Sequence, residues 1–503
     1  MTPLWLTDVS TPARLRVTPG LRFDTVVIGG GLTGLVTALL LAENGIEVAV
    51  VEARRIGAGT TGASTAKVSL LQGIRAQQIR RHRSGDTLRA YLDANLAAQR
   101  WIVDYCDTRG VPFQRADAFT YAQSESEIDS ARAEYEVLRA AGVPAEFVER
   151  LDVPFPAHGA VRLADQVQLD PMTLLAALAA DIEAHAAPIY ESSPVRSVRN
   201  GADGDYVIGT EHAELRAGAI VLATGTPILD RGGFFARLVP QRSYLTAFRV
   251  AEPIPHGMYI SAGEPTRSLR YTPAADGAIL LVGGNGHVVG RAANTAELMD
   301  DLVAWTRRWF PTAEPVTAWS AQDYAPADEL PYIGPLLPGN DGIRLGTGYA
   351  KWGMTNGVAA ALALAGHSIG KTPEWAAALA SWRPAEVKAF PAVISANASV
   401  AQQFSKGWLC AGRADAQPPA EGCGRIERHL PHPTAVATVD GTATEVSAVC
   451  PHLYGIVRWN SAEKSWDCPL HGSRFAADGT LLEGPATRSL AQVGPPIPVF
   501  EHR

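Results

Sequence analysis

The chain has 503 residues, a length that usually divides into two or three domains with separate cores. Hydrophobic residues make up 47% of it and charged residues 19%, which excludes wholesale disorder. The net charge is -7 and no block of Lys and Arg stands out, so neither a nucleic-acid nor an anionic-lipid partner is predicted. The N-terminus lacks a secretory pattern, and glycines interrupt the most apolar stretch, residues 25–42. We therefore predict a cytoplasmic protein without a membrane span.

The first predicted elements are a strand, a helix and a second strand. Residues 23–28 are a buried strand, residues 35–43 a helix that ends at Asn44 and Gly45, and residues 47–51 a second apolar strand. This order is typical of a βαβ unit at the start of a doubly wound, Rossmann-like α/β sheet.

A glycine-rich turn, residues 29–34, joins the first strand to the helix. Gly29 would make the tight turn, Gly31 would let the backbone approach a pyrophosphate, and Gly34 would let helix and strand pack closely. The pyrophosphate would lie at the helix N-terminus, and Glu52, after the second strand, would hold a ribose hydroxyl. The pattern predicts a dinucleotide site; the alternative is an ordinary glycine turn in a nucleotide-free α/β fold.

Later elements continue this mixture. Helices are predicted over residues 87–108 and 125–141, a buried strand over 219–223, and an antiparallel sheet over 240–290. An alanine-rich helix begins after Gly353 and runs to about residue 365. Beyond it, residues 373–405 are interpreted as a linker. Residues 406–503 are interpreted as a small all-β domain, because short strands alternate there with Gly, Pro and Asp turns.

Three segments resemble the D-amino-acid oxidase-type FAD-dependent oxidoreductases: residues 57–67, residues 223–225 and residues 346–355. The resemblance covers roughly residues 20–370. It implies an oxidoreductase domain over 1–372 that binds FAD through segments at about 20–90, 170–230 and 325–372. The implied cofactor-binding residues are Gly29, Gly31, Leu32, Thr33, Gly34, Glu52, Ala53, Arg54, Thr60, Thr61, Ser64, Val195, Ala223, Thr224, Gly225, Gly348, Lys351, Trp352, Gly353, Met354 and Thr355. None of the five cysteines lies in these motifs, so the FAD is expected to be non-covalent.

Hydrogen-bond donors and positive charge are expected near the flavin. Ser64, Thr65 and Lys67 would supply donors there. The helix after Gly353 would aim its N-terminus at the pyrimidine edge, where negative charge develops on reduction. Lys351 would add a full positive charge at this edge; the alternative is a lysine in solvent.

By the same resemblance, residues of about 95–165 and 231–320 would form a sheet over the flavin. A small amine or amino acid would be oxidised there by hydride transfer. The candidate lining residues are Arg242, Tyr244, Arg270 and Tyr271, and an arginine among them could clamp a carboxylate. The alternative for each is a strand residue that faces solvent. The predicted catalytic residues are Lys351, Lys67, Arg242 and Tyr244, and no protein general base is predicted.

Two loops near the C-terminus each offer a cysteine and a histidine. Cys450 and His452 lie in the first loop, and Cys468 and His471 lie in the second. Two cysteines and two histidines at this spacing could bind zinc or a Rieske cluster. The order suits a cluster in which one iron takes both thiolates and the other takes both imidazoles.

The sequence around these loops resembles the Rieske family over about residues 415–503. The matching segments are Trp459-Asn460, Trp466-Asp467, residues 471–475 and residues 484–486. Gly455 and Leu470 stand where high-potential Rieske proteins carry a disulfide, and Phe475 stands where they carry a tyrosine. Fewer hydrogen bonds to sulfur lower the potential, so a low or middling reduction potential is predicted, although Ser473 could still donate one.

A fused flavin and Rieske cluster would convert two-electron chemistry into one-electron transfer. We expect oxidation of a small amine or amino acid, with electrons leaving through the cluster to a carrier such as a ferredoxin. The reverse, a ferredoxin-driven reductase, stays open. So do a non-catalytic redox-sensing or electron-buffering protein and an oxidase with a merely structural cluster.

Two further classes are disfavoured. An NAD(P)H-dependent reductase would need a second nucleotide-binding unit, and residues 283–286 are interpreted as a turn because no matching helix and acid follow them. A Rieske oxygenase component would need a mononuclear iron site. The one close histidine pair outside the cluster loops, at residues 429 and 432, lies in a proline-interrupted segment without a domain for such a site.

Overall fold

Helices alternate with strands over most of the chain. The computed structural model describes residues 1–7, 13–275, 277–383, 390–409, 417–428, 432–493 and 497–498. The α-helices are α1 (Leu32–Glu43), α2 (Arg75–His82), α3 (Gly85–Arg109), α4 (Ile128–Ala140), α5 (Pro171–Ala184), α6 (Thr295–Trp309), α7 (Gly353–Ser368) and α8 (Phe390–Leu409). Short 3-10 helices lie at Leu4–Leu6, Glu125–Glu127, Arg231–Ala236 and Glu374–Leu379.

The strands form two large sheets before residue 350 and two small ones after residue 420. The strands of the large sheets are β1 (Arg22–Ile28), β2 (Val48–Val51), β3 (Lys67–Val68), β4 (Phe113–Tyr121), β5 (Glu146–Val148), β6 (Ala160–Leu169), β7 (Ile189–Tyr190), β8 (Val195–Asn200), β9 (Tyr206–Thr210), β10 (Glu214–Leu222), β11 (Leu238–Arg249), β12 (Met258–Ser261), β13 (Arg267–Ala274), β14 (Gly277–Val288), β15 (Glu314–Pro326), β16 (Tyr332–Leu337) and β17 (Asn340–Thr347). Those of the small sheets are β18 (Gly424–Glu427), β19 (Thr434–Val439), β20 (Thr442–Ser447), β21 (Arg458–Asn460), β22 (Ser465–Asp467), β23 (Arg474–Ala476), β24 (Leu481–Glu483) and β25 (Ile497–Pro498).

The first large sheet is the predicted doubly wound one. Its strand order is β16-β17-β10-β1-β2-β7, with β17, β10, β1, β2 and β7 parallel to one another. Every residue of β2 is buried, as expected for a parallel strand covered on both faces. Ile28 lies beside Leu222 on one side and Val51 on the other. The central strands therefore end at the same level, which is where open α/β sheets place ligands.

The second large sheet is mainly antiparallel, in the order β15-β11-β14-β13-β12-β4-β6-β3. Its strands β11 to β14 occupy the 240–290 region where an antiparallel sheet is predicted, and helices α3 and α4 coincide with the two helices predicted before residue 141. β3 carries Lys67 and pairs with β6, so the chain leaves the first sheet and enters the second at this lysine. The predicted fold class is confirmed for this half.

The C-terminal segment holds the two small antiparallel sheets, β18-β19-β20-β25 and β21-β22-β23-β24. They enclose a separate core that contains the buried side chains of Trp466, Phe475 and Leu490. This agrees with the predicted small all-β domain. Residues 410–416, 429–431, 494–496 and 499–503 of the predicted 406–503 domain lie outside the described residues.

Helix α8 lies largely within the segment predicted as a linker, residues 373–405, of which residues 384–389 fall outside the described residues. Val400 and Trp408 of this helix pack against the C-terminal core. A Cβ at Gly407 would lie 2.9 Å from Cβ of Ile456, so the helix approaches that domain closely. The helix is therefore part of the packing of the small domain. In the described part of the chain, no helix combines the length and apolarity needed to cross a bilayer.

Candidate functional site

A cavity of about 600 Å³ opens at the carboxyl ends of the central strands of the first sheet. Its walls come from the β1–α1 turn, the segment after β2, the loop of residues 57–67, the segment after β10 and the start of α7. The second sheet contributes residues of β11, β13, β14 and β15. Residues 480–489 of the C-terminal domain line it as well. The cavity therefore lies where three parts of the chain meet.

The glycine turn has the close contacts that the pattern predicts. Gly29 has a φ of +116°, and a Cβ there would lie 2.4 Å from the carbonyl oxygen of Ala223. A Cβ at Gly34 would lie 1.9 Å from the carbonyl oxygen of Gly29, so α1 packs directly on the strand end. Gly31 opens to the cavity beside Thr61, whose Oγ1 accepts a hydrogen bond from the Leu32 N–H at 3.2 Å. The N-terminus of α1 thus faces the cavity, as pyrophosphate binding requires.

Glu52 lies at the other end of this wall. Its carboxylate accepts hydrogen bonds from the backbone N–H of Gly30 at 2.6 Å and of Arg54 at 2.9 Å. Burial raises the pKa of Glu52, and these two hydrogen bonds partly oppose that rise. Ala53, Arg54 and Val195 line the cavity beside it. A half-buried carboxylate after β2 fits a ribose hydroxyl.

Most of the residues predicted to bind the cofactor line this cavity, and three do not. Gly34 is used in helix–strand packing, and Gly348, with a φ of +77°, makes a turn against Leu238 and Pro326. Thr355 accepts a hydrogen bond from Gln72 at 3.1 Å. The predicted residues that line the cavity are Gly29, Gly31, Leu32, Thr33, Glu52, Ala53, Arg54, Thr60, Thr61, Ser64, Val195, Ala223, Thr224, Gly225, Lys351, Trp352, Gly353 and Met354.

Lys351 and the start of α7 bring positive charge to the cavity. The backbone N–H of Lys351 donates to the carboxylate of Asp323, and Lys351 has a φ of +71°. Burial lowers the pKa of its side chain. The ammonium group approaches Gly286 closely, since a Cβ there would lie 2.4 Å from Nζ. Lys351 is an exposed residue whose ammonium group nevertheless lies beside the cavity wall, so the solvent-lysine alternative stays open.

Lys67 lies on the substrate side of the cavity. Its Nζ donates to the carbonyl oxygen of Tyr259 at 2.8 Å and to Oγ of Ser268 at 2.6 Å. Burial, and then the nearby charge of Arg270, lower the pKa of Lys67 to about 7. A neutral amine uses its two N–H groups in these hydrogen bonds and keeps a lone pair. Lys67 can therefore accept a proton near neutral pH.

Arg242 does not line the cavity, and its predicted role as a substrate clamp needs correction. It is 2% exposed, and its Nη2 donates to Glu463 at 2.9 Å while Nη1 donates to Gln322 at 3.1 Å and to Glu483 at 3.2 Å. Glu463 and Glu483 belong to the C-terminal domain, so the guanidinium is already occupied by the domain interface. Sequence reasoning could not identify these partners, because they follow Arg242 by more than 200 positions.

Arg270 and Tyr271 also lie away from the cavity, whereas Tyr244 lines it and is fully buried. Arg270 Nη1 donates to the carbonyl oxygens of Ala66 at 3.3 Å and Leu169 at 3.1 Å. It therefore ties backbone segments together beneath the cavity. The Tyr271 ring stacks on His256 with centroids 4.7 Å apart. The prediction that Arg270 and Tyr271 line the substrate site is therefore wrong, because neither residue lines the cavity.

The two cysteine–histidine loops come together at the edge of the C-terminal domain. Cys450 and Cys468 are buried, and their thiols lie within hydrogen-bonding distance of each other. The His452 and His471 rings lie 5.1 Å apart, nearly perpendicular. The loops thus present the two sulfurs together and the two imidazoles together, which is the pairing that a Rieske cluster needs.

The nitrogen atoms of the histidines provide a test of this fit. Nδ1 of His471 is buried, and it has no hydrogen-bond partner among the described residues. Nε2 of His452 is paired with Asp230, which leaves Nδ1 of that ring for a metal. Burial and the neighbouring His452 lower the pKa of His471 to about 3, so its imidazole is neutral, as a ligand must be. The residues present therefore fit a [2Fe–2S] cluster bound through both thiolates and both Nδ1 atoms.

The surroundings of the loops match the predicted departures from high-potential proteins. Gly455 and Leu470 lie against each other, since a Cβ at Gly455 would be 2.5 Å from Cδ1 of Leu470. No disulfide joins cysteines within the described residues. Ser473 lies within hydrogen-bonding distance of Cys450, whereas Phe475 is buried in the core and offers no hydroxyl.

The histidine edge of the loops faces the first 350 residues. The Phe235 ring meets the edges of His471 at 5.2 Å and His452 at 5.8 Å. Gln322, on the cavity wall, donates through Nε2 to the carbonyl oxygen of Gly472 at 2.8 Å. Gly472 directly follows His471 in the chain. The Gln322 side chain therefore joins the cavity wall to a cluster-ligand loop, and no sequence motif predicts this contact.

Comparisons with known proteins support both halves. The family model "FAD dependent oxidoreductase" matches residues 24–366, and the model "Rieske [2Fe-2S] domain" matches residues 408–495. The chain is 30% identical, over 97% of both sequences, to the protein YhfW of Bacillus subtilis (strain 168), which is named as a Rieske 2Fe-2S iron-sulfur protein. It is 27% identical to a glycine oxidase of Pseudomonas aeruginosa, over 69% of this chain and 95% of that protein.

A solved glycine oxidase from Geobacillus kaustophilus has the same fold in the first half. The TM-score is 0.58 at 20% identity, over 70% of this chain and 96% of that one. These findings confirm both predicted resemblances and both predicted cofactors. The chain belongs to the FAD-dependent oxidoreductase family and carries a Rieske [2Fe–2S] domain at its C-terminal end.

Proposed function

We propose that this enzyme oxidises a small amine or amino acid and passes the electrons through its Rieske domain to a one-electron carrier such as a ferredoxin. The observation that carries the proposal is the shared wall: residues 480–489 of the Rieske domain line the same cavity as the glycine turn and Lys67. FAD would accept a hydride in this cavity, and the [2Fe–2S] cluster would store one electron at a time.

The cavity supplies the charges that flavin reduction needs. Lys351 and the N-terminus of α7 lie on one wall and would stabilise negative charge that develops on a bound flavin ring. Tyr244 and the apolar strand residues around it exclude water from the substrate side. This arrangement supports Lys351 and Tyr244 as residues of the active site.

Lys67 would act as the base that prepares the substrate. An amine must lose its ammonium proton before a hydride can leave the adjacent carbon. With a pKa of about 7, the Lys67 amine can take that proton at Nζ and return it to solvent as the site turns over. This role adds a protein base where the sequence alone predicted none.

The similarity to glycine oxidases supports the substrate class, since those proteins are named for an amino-acid substrate. The contacts between Gln322 and Gly472 and between Asp230 and His452 support transfer inside one molecule. A cytoplasmic location is also proposed.

An anaerobic titration tests the proposal. Purified enzyme is mixed with a panel of amines and amino acids, and the flavin absorbance and the EPR signal of the reduced cluster are followed together. We expect one compound to bleach the flavin and to raise a rhombic signal with a low average g value. If no compound reduces the flavin, but reduced ferredoxin fills first the cluster and then the flavin, the direction is wrong and the enzyme is a reductase. If neither route reduces the flavin, both the amine oxidation and the ferredoxin-driven reduction are contradicted.

A further inference from the structure

Asp230 lies between the two redox sites. It follows the cavity residues Ala223 to Gly225 by five positions and directly precedes the 3-10 helix Arg231–Ala236. Its Oδ1 lies 2.6 Å from Nε2 of His452, the first histidine of the cluster loops. The His452 side chain is 4% exposed, whereas that of Asp230 is 53% exposed. The FAD half thus supplies a carboxylate that reaches a ligand of the other half.

The contact uses the nitrogen that a cluster leaves free. When His452 binds iron through Nδ1, its Nε2 carries a hydrogen and can only donate. Asp230 is then the acceptor. A carboxylate on the outer N–H of a ligating imidazole fixes the ring orientation and increases the electron density that the ligand gives to the metal. Both effects would be present whenever the domains are docked as in this structure.

The second histidine has a different environment. The rings of His471 and Phe235 lie edge to face with centroids 5.2 Å apart. Among the described residues, no carboxylate forms a hydrogen bond with Nδ1 of His471. A positive charge lies near that loop instead, since Arg291 donates through Nε to the carbonyl oxygen of Pro469 at 3.1 Å. The two imidazoles of one cluster therefore have unlike partners, and the carboxylate acts on one of them.

We propose that Asp230 is a positioning residue for the Rieske cluster, which holds the His452 ring by its Nε2–H and lowers the reduction potential of the cluster. Electron density from the carboxylate stabilises the oxidised iron more than the reduced iron. Because Asp230 belongs to the FAD half, docking of the two halves sets the potential. The inference requires a bound cluster but depends neither on the substrate nor on the direction of electron flow.

The test is a redox titration of the full-length protein, with the cluster followed by EPR and visible circular dichroism. We expect Asp230→Asn and Asp230→Ala to favour reduction about tenfold at a fixed ambient potential, which is a rise of about 59 mV for a one-electron couple. The g values of the reduced cluster should move with it. Asp230→Glu keeps a carboxylate and should fall between these variants and the wild type.

Asp165→Asn is the matched control, because it removes one exposed carboxylate that is paired with Arg115 in the FAD half. Its cluster should titrate at the wild-type potential. Cluster and flavin contents are measured before each titration. If Asp230→Ala binds no cluster, Asp230→Asn, which keeps the side-chain size, decides the question.

The inference is wrong if cluster-loaded Asp230→Asn titrates at the wild-type potential or below it. It is also wrong if Asp165→Asn shifts the potential as much, because net charge alone would then explain the result. Reduction of the flavin by substrate is recorded separately in each variant. A failure of the proposed amine oxidation would leave the cluster titration interpretable, so the two outcomes are distinguishable.

Discussion

Buried charges have opposite surroundings at the domain interface and in the flavin cavity. At the interface, Arg242 and Arg474 share the carboxylates of Glu463 and Glu483, with Arg474 at 2.9 Å from Glu463 and 3.1 Å from Glu483. In the cavity, the hydrogen-bond partners of Lys67 Nζ among the described residues are a carbonyl oxygen and a hydroxyl. Burial alone would raise the pKa of Glu463, but the two arginines hold it at about 2. The pKa of Lys67 instead falls to about 7.

This difference in surroundings distinguishes a buried charge that holds the fold together from a buried group that can exchange a proton. A buried ion paired with opposite charges stays ionised and holds its neighbours in place. A buried cation without a carboxylate loses its proton easily, and such groups are common at active sites. Arg242, which the sequence predicts to bind substrate, is a paired ion that holds its neighbours in place, whereas Lys67 is a buried cation that loses its proton easily.

The largest expected effect is on turnover. Lys67→Met should lower kcat/KM for the substrate by about 10²- to 10⁴-fold, because the base that deprotonates the substrate is lost. In the wild type, kcat/KM should rise with pH through about 7 as Nζ becomes neutral, and this step should vanish in the variant. Stopped-flow flavin reduction at several pH values measures both.

Lys371→Met serves as the control for this experiment, because Lys371 is exposed and follows the C-terminal end of α7, whereas only the N-terminal end of that helix lines the cavity. It should keep the wild-type rate and pH profile. A Lys67→Met enzyme with a normal rate and an unchanged pH step would show that Lys67 is not the base.

The next effect is on the interface. Arg242→Leu should destabilise the docked Rieske domain by roughly 3–5 kcal/mol, because Glu463 and Glu483 lose a buried partner. Urea unfolding followed separately by flavin fluorescence and by cluster absorbance should show the cluster transition move to lower urea. Arg115→Leu, which breaks an exposed pair with Asp165, should cost at most about 1 kcal/mol. Equal shifts in both variants would contradict a structural role for the network.

A pH dependence of stability follows from Lys67. In the folded chain its pKa is about 7, against a usual value of 10.5, so the unfolded state binds the extra proton between these pH values. The stability of the wild type relative to Lys67→Met should therefore rise with pH above about 7. Below about pH 7 the full cost of burying a charged ammonium group at Lys67 should be present. The difference is roughly 5 kcal/mol at most, since a tenfold change in proton affinity is worth about 1.4 kcal/mol.

This dependence is measured from urea midpoints of both proteins between pH 6 and 9. The two curves should converge as the pH rises. Curves that stay parallel over this range would mean that Lys67 keeps an ordinary pKa, and the comparison between the two regions would fail.

The smallest expected effect concerns the far end of the cavity. Glu52→Gln should weaken FAD binding by about tenfold, because a carboxylate accepts from a ribose hydroxyl more strongly than an amide does. Fluorescence quenching during FAD titration of the flavin-depleted protein measures it. Glu47→Gln, an exposed position before β2, should leave the affinity unchanged. An unchanged affinity in Glu52→Gln would remove Glu52 from the cofactor site.

The sequence predicted the parts of the site that depend on local geometry. The glycine turn, Glu52 after β2 and the cysteine–histidine loops lie within short segments whose spacing reflects the chemistry. Arg242 and Arg270 were misplaced, because a guanidinium on a strand gives no sign of the distant groups that it meets. The contacts of Gln322 and Asp230 with the cluster loops were missed for the same reason.

Helix α8 shows a different limit. Val400, Phe404 and Trp408 recur at the four-residue spacing of a helix face, so a signal was present. Surrounding alanines and serines obscure this spacing, so composition alone predicts a linker. Its apolar face is stabilised by packing on the Rieske core, which lies later in the chain.

The wall formed by residues 480–489 also bears on how the enzyme matures. A ribosome must synthesise the chain as far as these residues before the flavin cavity can close. The first 370 residues therefore emerge with an open cofactor site, and closure of the cavity becomes coupled to correct folding of residues 480–489. A chain that fails to fold its cluster domain would lack this wall, and its flavin cavity would stay open to solvent on that side.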